Sequence, residues 1–249
     1  MDNTSLVGLS QQMASMRAMD VIANNLANLS TPGYRREAVQ FEKYVATLPA
    51  SEAEGGGTID VTFVIDKGVG QNLAPGRLET TGSMLDFAIE GSGYFAVQTP
   101  DGERYTRNGH FRFDDQGQVV TQDGHTLLSD GGAISLQPQD GDLRVGADGS
   151  LSTAIQRLGK LRVVNFTDER ALKKAGAGLY EAPPGVNSTP VPTARVRQGM
   201  IEKSNVEPVI EISRMMEVMR AYQATAELTK SEENLLKQAI QQLGAVPGV

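Results

Sequence analysis

The amino-acid sequence predicts a mainly β protein with terminal α-helices: a β-rich middle domain is inserted between N- and C-terminal helices that pair as a coiled-coil-like stalk. Three observations predict this fold class. Residues 55–199 hold 23 of the 27 glycines, apolar residues recur at helical spacing near both termini, and Asp-Gly pairs separate short β-like segments in the middle. Glycine favours turns and strand corners, whereas helix interiors disfavour it.

The composition argues against several classes of function. The chain has 249 residues, no Cys and only two His, which argues against thiol catalysis, a disulfide scaffold and Cys- or His-rich metal sites. Its formal net charge of −7 argues against a nucleic-acid partner, which would need a basic face. No apolar run is long enough for a Sec-type signal peptide or a membrane span, so we expect no membrane insertion. We predict no catalytic, cofactor-binding or metal-ligating residues.

The first 30 residues predict an amphipathic helix. Apolar residues follow one another at steps of three or four, which places them on one face of a helix. A Ser-Thr-Pro-Gly sequence at residues 30–33 then ends it, because proline lacks a donor and glycine permits a turn. The stripe consists of Leu6, Leu9, Met13, Met16, Met19, Ile22, Leu26 and Leu29.

We predict four segments along the chain. They are an N-terminal helical segment (1–46), a Gly-rich linker (47–57), a β-rich domain (58–200) and a C-terminal long helix that pairs with the first (201–249). Residues 34–46 are predicted as extended chain or a short helix. The linker contains the sequence SEAEGGG, whose composition is typical of flexible connections.

Short strands joined by turns are predicted for the middle domain. Residues 58–65 alternate β-branched and aromatic residues, as strands do, and residues 161–166 and 194–201 predict further strands, the former more buried. Asp-Gly occurs at Asp101, Asp123, Asp130, Asp140 and Asp148, each followed by glycine. Asp-Gly between alternating segments predicts hairpins in which both turn residues have positive φ.

Several polar residues could carry chemistry, but each has a simpler interpretation. Residues 91–96 match the dinucleotide pattern G-x-G-x-x-A, yet a strand follows where that motif needs a helix, so we predict a glycine bend. His110 and His125 are predicted as partly exposed strand or turn residues, and Arg35 and Arg36 as surface charges. Three asparagines in the first helix are predicted either to form a solvated polar face or to make side-chain hydrogen bonds to neighbouring helices in a packed assembly. They are Asn24, Asn25 and Asn28.

A second, longer helix is predicted from residue 209 to residue 243. At 1.5 Å per residue it would be about 52 Å long, whereas the first helix reaches only about 37 Å. Part of its seam would therefore stay uncovered within one chain, and exposed seams of this kind are assembly surfaces. The seam residues follow a heptad pattern: Met215, Met219, Tyr222, Ala226, Thr229, Glu233, Leu236, Ile240 and Leu243.

Three separated regions resemble the bacterial flagellar rod and hook proteins. Residues 19–34 (MDVIANNLANLSTPGY) resemble the N-terminal signature of that family. Residues 89–95 (IEGSGYF) and 105–109 (YTRNG) resemble its β-domain motifs. Residues 202–207 (EKSNVE) and 219–223 (MRAYQ) resemble its C-terminal region. Within the family, the proximal rod members are most similar, and a distal rod or hook-type protein is the alternative.

The resemblance implies a structural axial component of the basal-body rod rather than an enzyme. It implies assembly through the terminal helices into a torque-transmitting shaft across the periplasm, with other rod proteins and copies of itself as partners. It also implies passage through the flagellar export apparatus without a cleaved signal. The candidate assembly residues are Leu6, Leu9, Met13, Met16, Ile22, Asn24, Asn25, Leu26, Asn28, Met215, Met219, Tyr222, Ala226, Leu236, Ile240 and Leu243.

Two functions other than a structural one remain as alternatives. An enzyme acting on cell-wall glycan would need paired carboxylates, for which Asp114 and Asp115 are candidates. A small-ligand-binding β domain is a third hypothesis that no motif supports.

For the flagellar function, we predict that residues 10–28 and 225–243 are mobile in the free monomer and become ordered on assembly.

Overall fold

The computed structural model describes residues 3–49, 58–137, 139–192 and 194–244, and it confirms the predicted fold class. Within these residues two long helices, α1 (Asn3–Ala27) and α2 (Pro208–Gly244), flank a region of strands that also holds a short 3-10 helix (Glu169–Ala171). The strands are β1 (Glu37–Pro49), β2 (Thr58–Gln71), β3 (Leu78–Thr80), β4 (Phe87–Glu90), β5 (Tyr94–Thr99), β6 (Gly102–Thr106), β7 (Phe111–Phe113), β8 (Val119–Thr121), β9 (Thr126–Ser129), β10 (Gly132–Ala133), β11 (Arg144–Val145), β12 (Ser150–Ser152), β13 (Arg157–Lys160), β14 (Val163–Phe166), β15 (Lys173–Gly176), β16 (Leu179–Glu181), β17 (Ser188–Pro190), β18 (Arg195–Gln198) and β19 (Met200–Glu202).

The chain forms two compact units. The first combines Met1–Ala27, Glu37–Gly70 and Glu207–Val249, and the second combines Asn28–Arg36 and Gln71–Val206. Both terminal helices and the strand pair β1–β2 therefore belong to the first unit, and the strands from β3 to β19 belong to the second. The predicted β-rich domain begins at residue 58, whereas the second unit resumes at residue 71, because β2 pairs with β1.

The two helices of the first unit pack antiparallel. Gly8 of α1 lies against Thr229 of α2, and Gln12 Nε2 donates to Thr229 Oγ1 at 3.5 Å. At the other end of α1, Asn25 contacts Glu211. Small and polar residues therefore form this part of the α1 face toward α2, where the missing Cβ of Gly8 lets the two backbones come close.

The apolar stripe of α1 divides into an exposed half and a covered half. Leu6, Leu9, Met13 and Met16 are exposed, whereas Ile22 is buried. Met19 and Leu26 are half-buried. The expectation that the whole stripe is the face that pairs with α2 is wrong for its first four residues. The spacing of apolar residues identifies one face of a helix, but it does not show which neighbour covers that face. In this chain α2 packs closely against α1 at Gly8, which is not part of the apolar stripe.

The seam of α2 is rotated slightly from the predicted one. Met215, Tyr222, Ala226 and Thr229 are half-buried as expected, but Met219 and Glu233 are exposed. Their places on the covered face are taken by Val218 and Glu232, and the fully buried Glu211 begins that face. The side chains of Leu236, Ile240 and Leu243 lie outside the described residues.

Strands β1 and β2 form a two-stranded sheet in the first unit. Glu42 pairs with Lys67, and Gln40 lies against Gly70, which is the order of an antiparallel pair. The alternative of a short helix after residue 34 is therefore wrong, since strand β1 begins at Glu37. Residues 47–49 of the predicted linker belong to β1, and residues 50–57 lie outside the described residues.

The second unit is built around a ten-stranded antiparallel sheet. Its central path runs in the order β15-β16-β6-β5-β9-β8-β7, while β10 pairs with β9, β14 with β5 and β17 with β14. Smaller ladders join β11-β12-β13, β18-β4 and β19-β3. The predicted buried strand is confirmed as β14, whose Val163, Val164 and Phe166 are buried. The largest core cluster includes Phe87, Phe95, Phe111, Val119, Leu127 and Val196.

Four of the five predicted Asp-Gly turns lie in hairpins. The fifth, at Asp140, does not, because the strands on either side of it pair elsewhere: β10 with β9 and β11 with β12. The carboxylate of Asp140 instead accepts from the backbone N–H of Gln137 at 2.7 Å. The four hairpin turns start at Asp101, Asp123, Asp130 and Asp148.

These hairpins use one left-handed residue rather than two. The value of φ is +111° at Gly102, +88° at Gly124 and +81° at Gly149, and among the described residues Ala177 is the one non-glycine with positive φ. The expectation of positive φ at both Asp and Gly is therefore wrong. A single left-handed glycine is typical of a turn closed by a bulge, in which the aspartate keeps an ordinary conformation.

Candidate functional site

Two exposed apolar rows lie on the helices of the first unit. The α1 row consists of Leu6, Leu9, Met13 and Met16, which are 42–63% exposed. The α2 row consists of Val209, Ile212, Met216 and Met219, which are 44–76% exposed. Soluble chains seldom leave such contiguous apolar surface open to water unless it is a contact surface.

A groove between α1 and the two-stranded sheet continues the α1 row. Its apolar lining comes from Met13, Met16, Phe41 and Val64, and the small residues Ser10 and Ala14 also line it. Its charged lining comes from Arg17, Asp20 and Asp66. Arg17 Nε pairs with Asp66 Oδ2 at 3.3 Å, so an ion pair closes one side of the groove.

A buried polar cluster fixes α1 to α2 and to the start of β1. Asn25 Nδ2 donates to the carbonyl of Glu37 at 2.8 Å and to Glu211 Oε2 at 3.0 Å, while Asn25 Oδ1 accepts from the Glu37 N–H at 2.8 Å. Arg214 donates to the other carboxylate oxygen of Glu211 at 3.0 Å. A primary amide can donate and accept at once, so Asn25 bonds both a backbone amide group and a carboxylate.

The three asparagines of the first helix have different environments. Asn25 is fully buried and hydrogen-bonds within its own chain, so the alternative of a solvated polar face is wrong for this residue. Asn24 is exposed, and Asn28 lies beyond α1, where its Oδ1 accepts from Thr31 Oγ1 at 3.1 Å. The three residues are close in sequence, but Asn24 and Asn25 lie on different sides of α1 and Asn28 lies after its end, so their environments differ.

The second unit contains a buried ion pair that the sequence did not reveal. Arg107 Nη1 lies 3.2 Å from Glu202 Oε2, and both side chains are almost fully buried. Arg107 also donates to the Gly91 carbonyl at 2.7 Å and lies 5.3 Å above the ring of Tyr94. Glu202 Oε1 accepts from the Gly76 N–H at 2.9 Å. Nothing in the spacing of charged residues indicated that this pair, 95 positions apart, would meet.

Burial changes the acid–base behaviour of this cluster. It raises the pKa of Tyr94 well above its ordinary value, and the neighbouring Glu169 carboxylate, which accepts from the tyrosine hydroxyl at 2.9 Å, raises it further. Burial lowers the pKa of Arg107, while Glu202 acts in the opposite direction. These groups are fixed by one another, which indicates a structural role.

The segment that follows α1 is bound tightly within the second unit. The Gly33 N–H donates to the Glu202 carbonyl at 2.7 Å, and the Asn205 N–H donates to the Tyr34 carbonyl at 3.3 Å. Arg35 donates to the Leu73 carbonyl and is buried, so the expectation of a surface charge is wrong for it. The burial of a single arginine after a Pro-Gly turn is decided by distant segments of the chain and leaves no local sequence pattern.

Asn205 joins three chain segments of the second unit. Its Oδ1 accepts from the Arg36 N–H at 2.6 Å, and its Nδ2 donates to the carbonyls of Asn72 and Ala74 at 2.9 and 2.7 Å. The chain passes between the units at four places, and the segments next to three of them, near residues 36, 71 and 206, are therefore held together inside the second unit.

The other chemical candidates have structural roles. Asp114 Oδ1 accepts from the backbone N–H groups of Gln116 and Gln118 at 2.9 and 2.7 Å, which is turn capping. His110 Nδ1 lies 2.6 Å from the buried Asp86, and the ring is half-exposed. Residues 91–93 form the predicted bend, since strand β5 and not a helix follows. The described residues hold no group of three or more Asp, Glu or His placed to bind a metal, and no described helix meets the length and hydropathy required to span a membrane.

Family profiles match three parts of the chain. Residues 6–35 match the flagella basal body rod protein family, residues 88–153 match the flagellar hook protein FlgE/F/G D1 domain, and residues 197–242 match the flagellar basal body rod FlgEFG protein C-terminal family. The first and last matches cover most of α1 and of α2, and the second covers strands of the β unit.

Curated relatives match along nearly the whole chain. The flagellar basal-body rod protein FlgF of Caulobacter vibrioides is 40% identical over 99% of this chain and 100% of its own length. FlgF of Mesorhizobium japonicum is 36% identical over 98% of this chain and 99% of its own. The flagellar basal-body rod protein FlgG of Buchnera aphidicola subsp. Schizaphis graminum is 32% identical over 95% and 97%.

Paired terminal helices around an inserted β unit, together with these matches, define a structural protein of the flagellar axis. The chain belongs to the family of flagellar basal-body rod proteins. The resemblance predicted from three sequence motifs is thereby confirmed, as is the function of a structural axial component of the basal body.

Proposed function

We propose that the chain is a proximal rod subunit that joins copies of itself and other rod proteins through its terminal helices. FlgF relatives at 40% and 36% identity, against 32% for a FlgG relative, support the proximal assignment over the distal one. The two helices of the first unit would form the core of the shaft.

The exposed apolar rows of the first unit carry this proposal. Burying a Val, Leu, Ile or Met side chain contributes about 1.5–3 kcal/mol. The eight residues of the two rows are exposed in the single chain, and the free energy gained by burying them between subunits would add up over a multi-subunit shaft. Repeated burial of this kind, without any bound ligand, is sufficient to make a stiff assembly that transmits torque.

The predicted assembly residues would act in two ways. Leu6, Leu9, Met13, Met16 and Met219 are open to solvent and would contact neighbouring subunits directly. Ile22 and Asn25 are buried within the first unit and would act by holding its shape. The remaining predicted residues are half-buried or exposed positions on the two helices, the half-buried Asn28 just after α1, and three residues near the C-terminal end of α2: Asn24, Leu26, Asn28, Met215, Tyr222, Ala226, Leu236, Ile240 and Leu243.

The location and the route follow from the same proposal. A proximal rod subunit lies in the periplasm and leaves the cytoplasm through the flagellar export apparatus without a cleaved signal. A chain without cysteine needs no disulfide to fold after such a passage. We expect a structural and not a catalytic role: Asp114, one of the two candidate acids for a glycan-acting enzyme, caps its own turn.

A complementation experiment tests the proposal. In a strain that lacks this chain, we expect flagellar assembly to stop at the rod stage and the wild-type chain to restore it. The double variant Leu9→Glu with Met13→Glu should not restore it, because charges in the α1 row cannot be buried at low cost. Normal filaments in the deletion strain, or full rescue by the double variant, would contradict the proposal.

A matched control separates assembly from folding. Gln11 is exposed and lies between Leu9 and Met13 in sequence but on the other side of α1, so Gln11→Glu should restore motility. Far-UV circular dichroism of the purified variants should show equal helix content. A chain that lacks residues 209–243 should fail to rescue.

The mobility of the terminal segments in the free monomer stays a prediction. Amide hydrogen exchange on the purified monomer measures it directly. Weak protection across residues 10–28 and 225–243 is expected, because the terminal helices lack the neighbouring subunits of the assembly in the monomer, and strong protection would contradict it.

A further inference from the structure

We infer that the α1 row of one copy packs against the α2 row of a second copy. This inference rests on the proposed function, and it specifies which surface of one subunit meets which surface of the next. In this arrangement each copy directs its two rows toward two different neighbours, so the contact is heterologous and not the reciprocal pairing of a two-fold dimer.

The two rows match in length and spacing. Residues 6, 9, 13 and 16 follow steps of three, four and three, and so do residues 209, 212, 216 and 219. Each row spans about 15 Å of helix at 1.5 Å per residue. Helices pack when the ridges of one fit the grooves of the other, and rows with the same step pattern present compatible ridges.

Both rows are turned away from the contact inside the subunit. On α1 the residues that lie toward α2 include Gly8 and Gln12, and on α2 the covered face includes Glu211 and Thr229. At 100° per residue, each row is centred roughly 120° around its helix from that covered face. Neither row can therefore be covered by its own partner helix without unpacking the pair.

The charge pattern favours this contact. Residues 3–16 carry no charged side chain, so the α1 row approaches another surface without like-charge repulsion or the cost of burying a charge. The row ends at the groove lined by Met13, Met16, Phe41 and Val64, where flexible methionines adapt to an apolar side chain that enters. The α2 row supplies apolar side chains of that kind, among them Ile212.

The small size of each row favours a repeating contact over a closed dimer. Four side chains on each side are far fewer than the roughly 20–30 residues per side of a standard stable interface. An α1-to-α1 dimer would also leave both α2 rows open to water. A heterologous α1-to-α2 contact covers one row on each copy and leaves the other row for the next copy, so it repeats around a ring or along a helical assembly.

The absence of cysteine allows a direct test by disulfide cross-linking. Met13→Cys and Met216→Cys are introduced into separate full-length chains, which are mixed at high concentration and oxidised. We expect a cross-linked dimer in the mixture at a yield about tenfold above that of either variant alone, as a contact free energy of about 1.4 kcal/mol would give. A chain with both substitutions should form a ladder of dimers, trimers and longer products.

Cross-links within one chain do not confuse this result. Gly8 lies opposite Thr229 and Asn25 opposite Glu211, so position 216 lies opposite about residue 20. That is about seven residues, or about 10 Å along the axis, from position 13, beyond the roughly 7 Å that a disulfide can bridge. The control pair Gln11→Cys and Ala221→Cys replaces exposed residues outside the two rows and should give only background cross-linking.

The outcomes separate this inference from the proposed function. Homodimers of Met13→Cys or of Met216→Cys at the yield of the mixture would overturn the heterologous contact. So would a doubly substituted chain that restores motility and is incorporated into basal bodies but shows no ladder there after oxidation. That second result would leave the proposed function intact, because the subunit would still assemble, through other surfaces.

Discussion

The amide nitrogen of Asn25 lies 3.0 Å from Oε2 of Glu211, at a place where neither side chain has any exposed surface. This hydrogen bond ties the end of α1 to the first turn of α2, and the same amide bonds both backbone groups of Glu37 at the start of β1. One side chain therefore sets the relative position of three elements of the first unit. A buried amide that bonds a carboxylate is costly to replace, since its loss leaves a buried charge unsatisfied.

Asn25→Asp should strongly destabilise the first unit. The change replaces the donor with a second carboxylate next to Glu211, and one of the two must then bind a proton. Burial and the neighbouring charge raise the pKa of the introduced carboxyl in the folded state above its unfolded value. The destabilisation relative to the unsubstituted chain is therefore smallest at low pH, and it grows as the pH rises through that raised value.

Urea unfolding followed by far-UV circular dichroism at several pH values measures this effect. We expect a loss of about 3 kcal/mol or more near neutral pH, the size found when a buried ionic contact loses one partner. Gln11→Glu makes the same chemical change at an exposed position of α1 and should cost little at any pH. Equal, pH-independent effects of the two variants would contradict the role assigned to Asn25.

The ion pair between Arg107 and Glu202 has an exposed counterpart in the same unit. Arg197 and Glu90 lie 3.1 Å apart, against 3.2 Å for the buried pair, but their side chains are about half exposed. Glu202→Gln should cost about 3 kcal/mol or more, because Arg107 would keep its charge in a buried place. Glu90→Gln should cost at most about 1 kcal/mol, because water solvates Arg197.

Thermal unfolding of the two variants gives this comparison directly, since both pairs lie within the second unit. The distances are nearly equal, so a difference between the variants reports burial. If the two substitutions lower the stability by the same amount, burial is not what makes the Arg107–Glu202 pair important.

Two features of position 33 require glycine: a positive φ and a neighbouring backbone too close for a Cβ atom. Its φ is +69°, and a Cβ at this position would lie 2.4 Å from the backbone carbonyl carbon of Arg107. Gly124 satisfies one condition only: its φ is +88°, but no atom lies within 4 Å of the place where a Cβ would be. Gly33→Ala should therefore be far more destabilising than Gly124→Ala, for which we expect about 1–2 kcal/mol from the backbone conformation alone.

Limited proteolysis and thermal unfolding of purified protein distinguish the two variants. Gly33→Ala should expose the segment after α1 to cleavage, because Gly33 and Asn205 hold that segment in the second unit. Gly124→Ala should leave the cleavage pattern unchanged. Similar cleavage of both variants would mean that the close approach to Arg107 relaxes easily.

The sequence predicts the elements of this fold better than it predicts their contacts. Local patterns of apolar residues indicate the two helices and the buried strand at residues 163–166, so these elements could be predicted without the structure. The covered face of α1 could not be found in this way. An apolar stripe indicates a contact surface, but the close approach at Gly8 depends on Thr229, which is 221 positions away.

The same limit applies to the site. The exposed apolar rows consist of residues that periodicity detects, and six of the eight belong to the predicted stripe or are adjacent to the predicted seam. The buried positions of Arg35 and Glu211 have no local signal, because burial of a charged residue is decided by distant segments of the chain. The three asparagines predicted as one group, Asn24, Asn25 and Asn28, lie in different environments, and of the three only Asn25 is fully buried.

Gly8 and Thr229 provide a test of how the two helices approach. A Cβ at position 8 would lie 2.8 Å from Thr229 Oγ1, so this oxygen must move in a Gly8→Ala variant. Alanine in place of glycine should stabilise a helix by about 1 kcal/mol, but the displaced threonine opposes that gain. In a Thr229→Ala background the obstacle is gone, and the full gain should appear. A double-mutant cycle measured by urea unfolding gives the coupling between the two positions, for which we expect about 0.5–1 kcal/mol. If Gly8→Ala has the same effect with and without the threonine, the helices do not meet at this point.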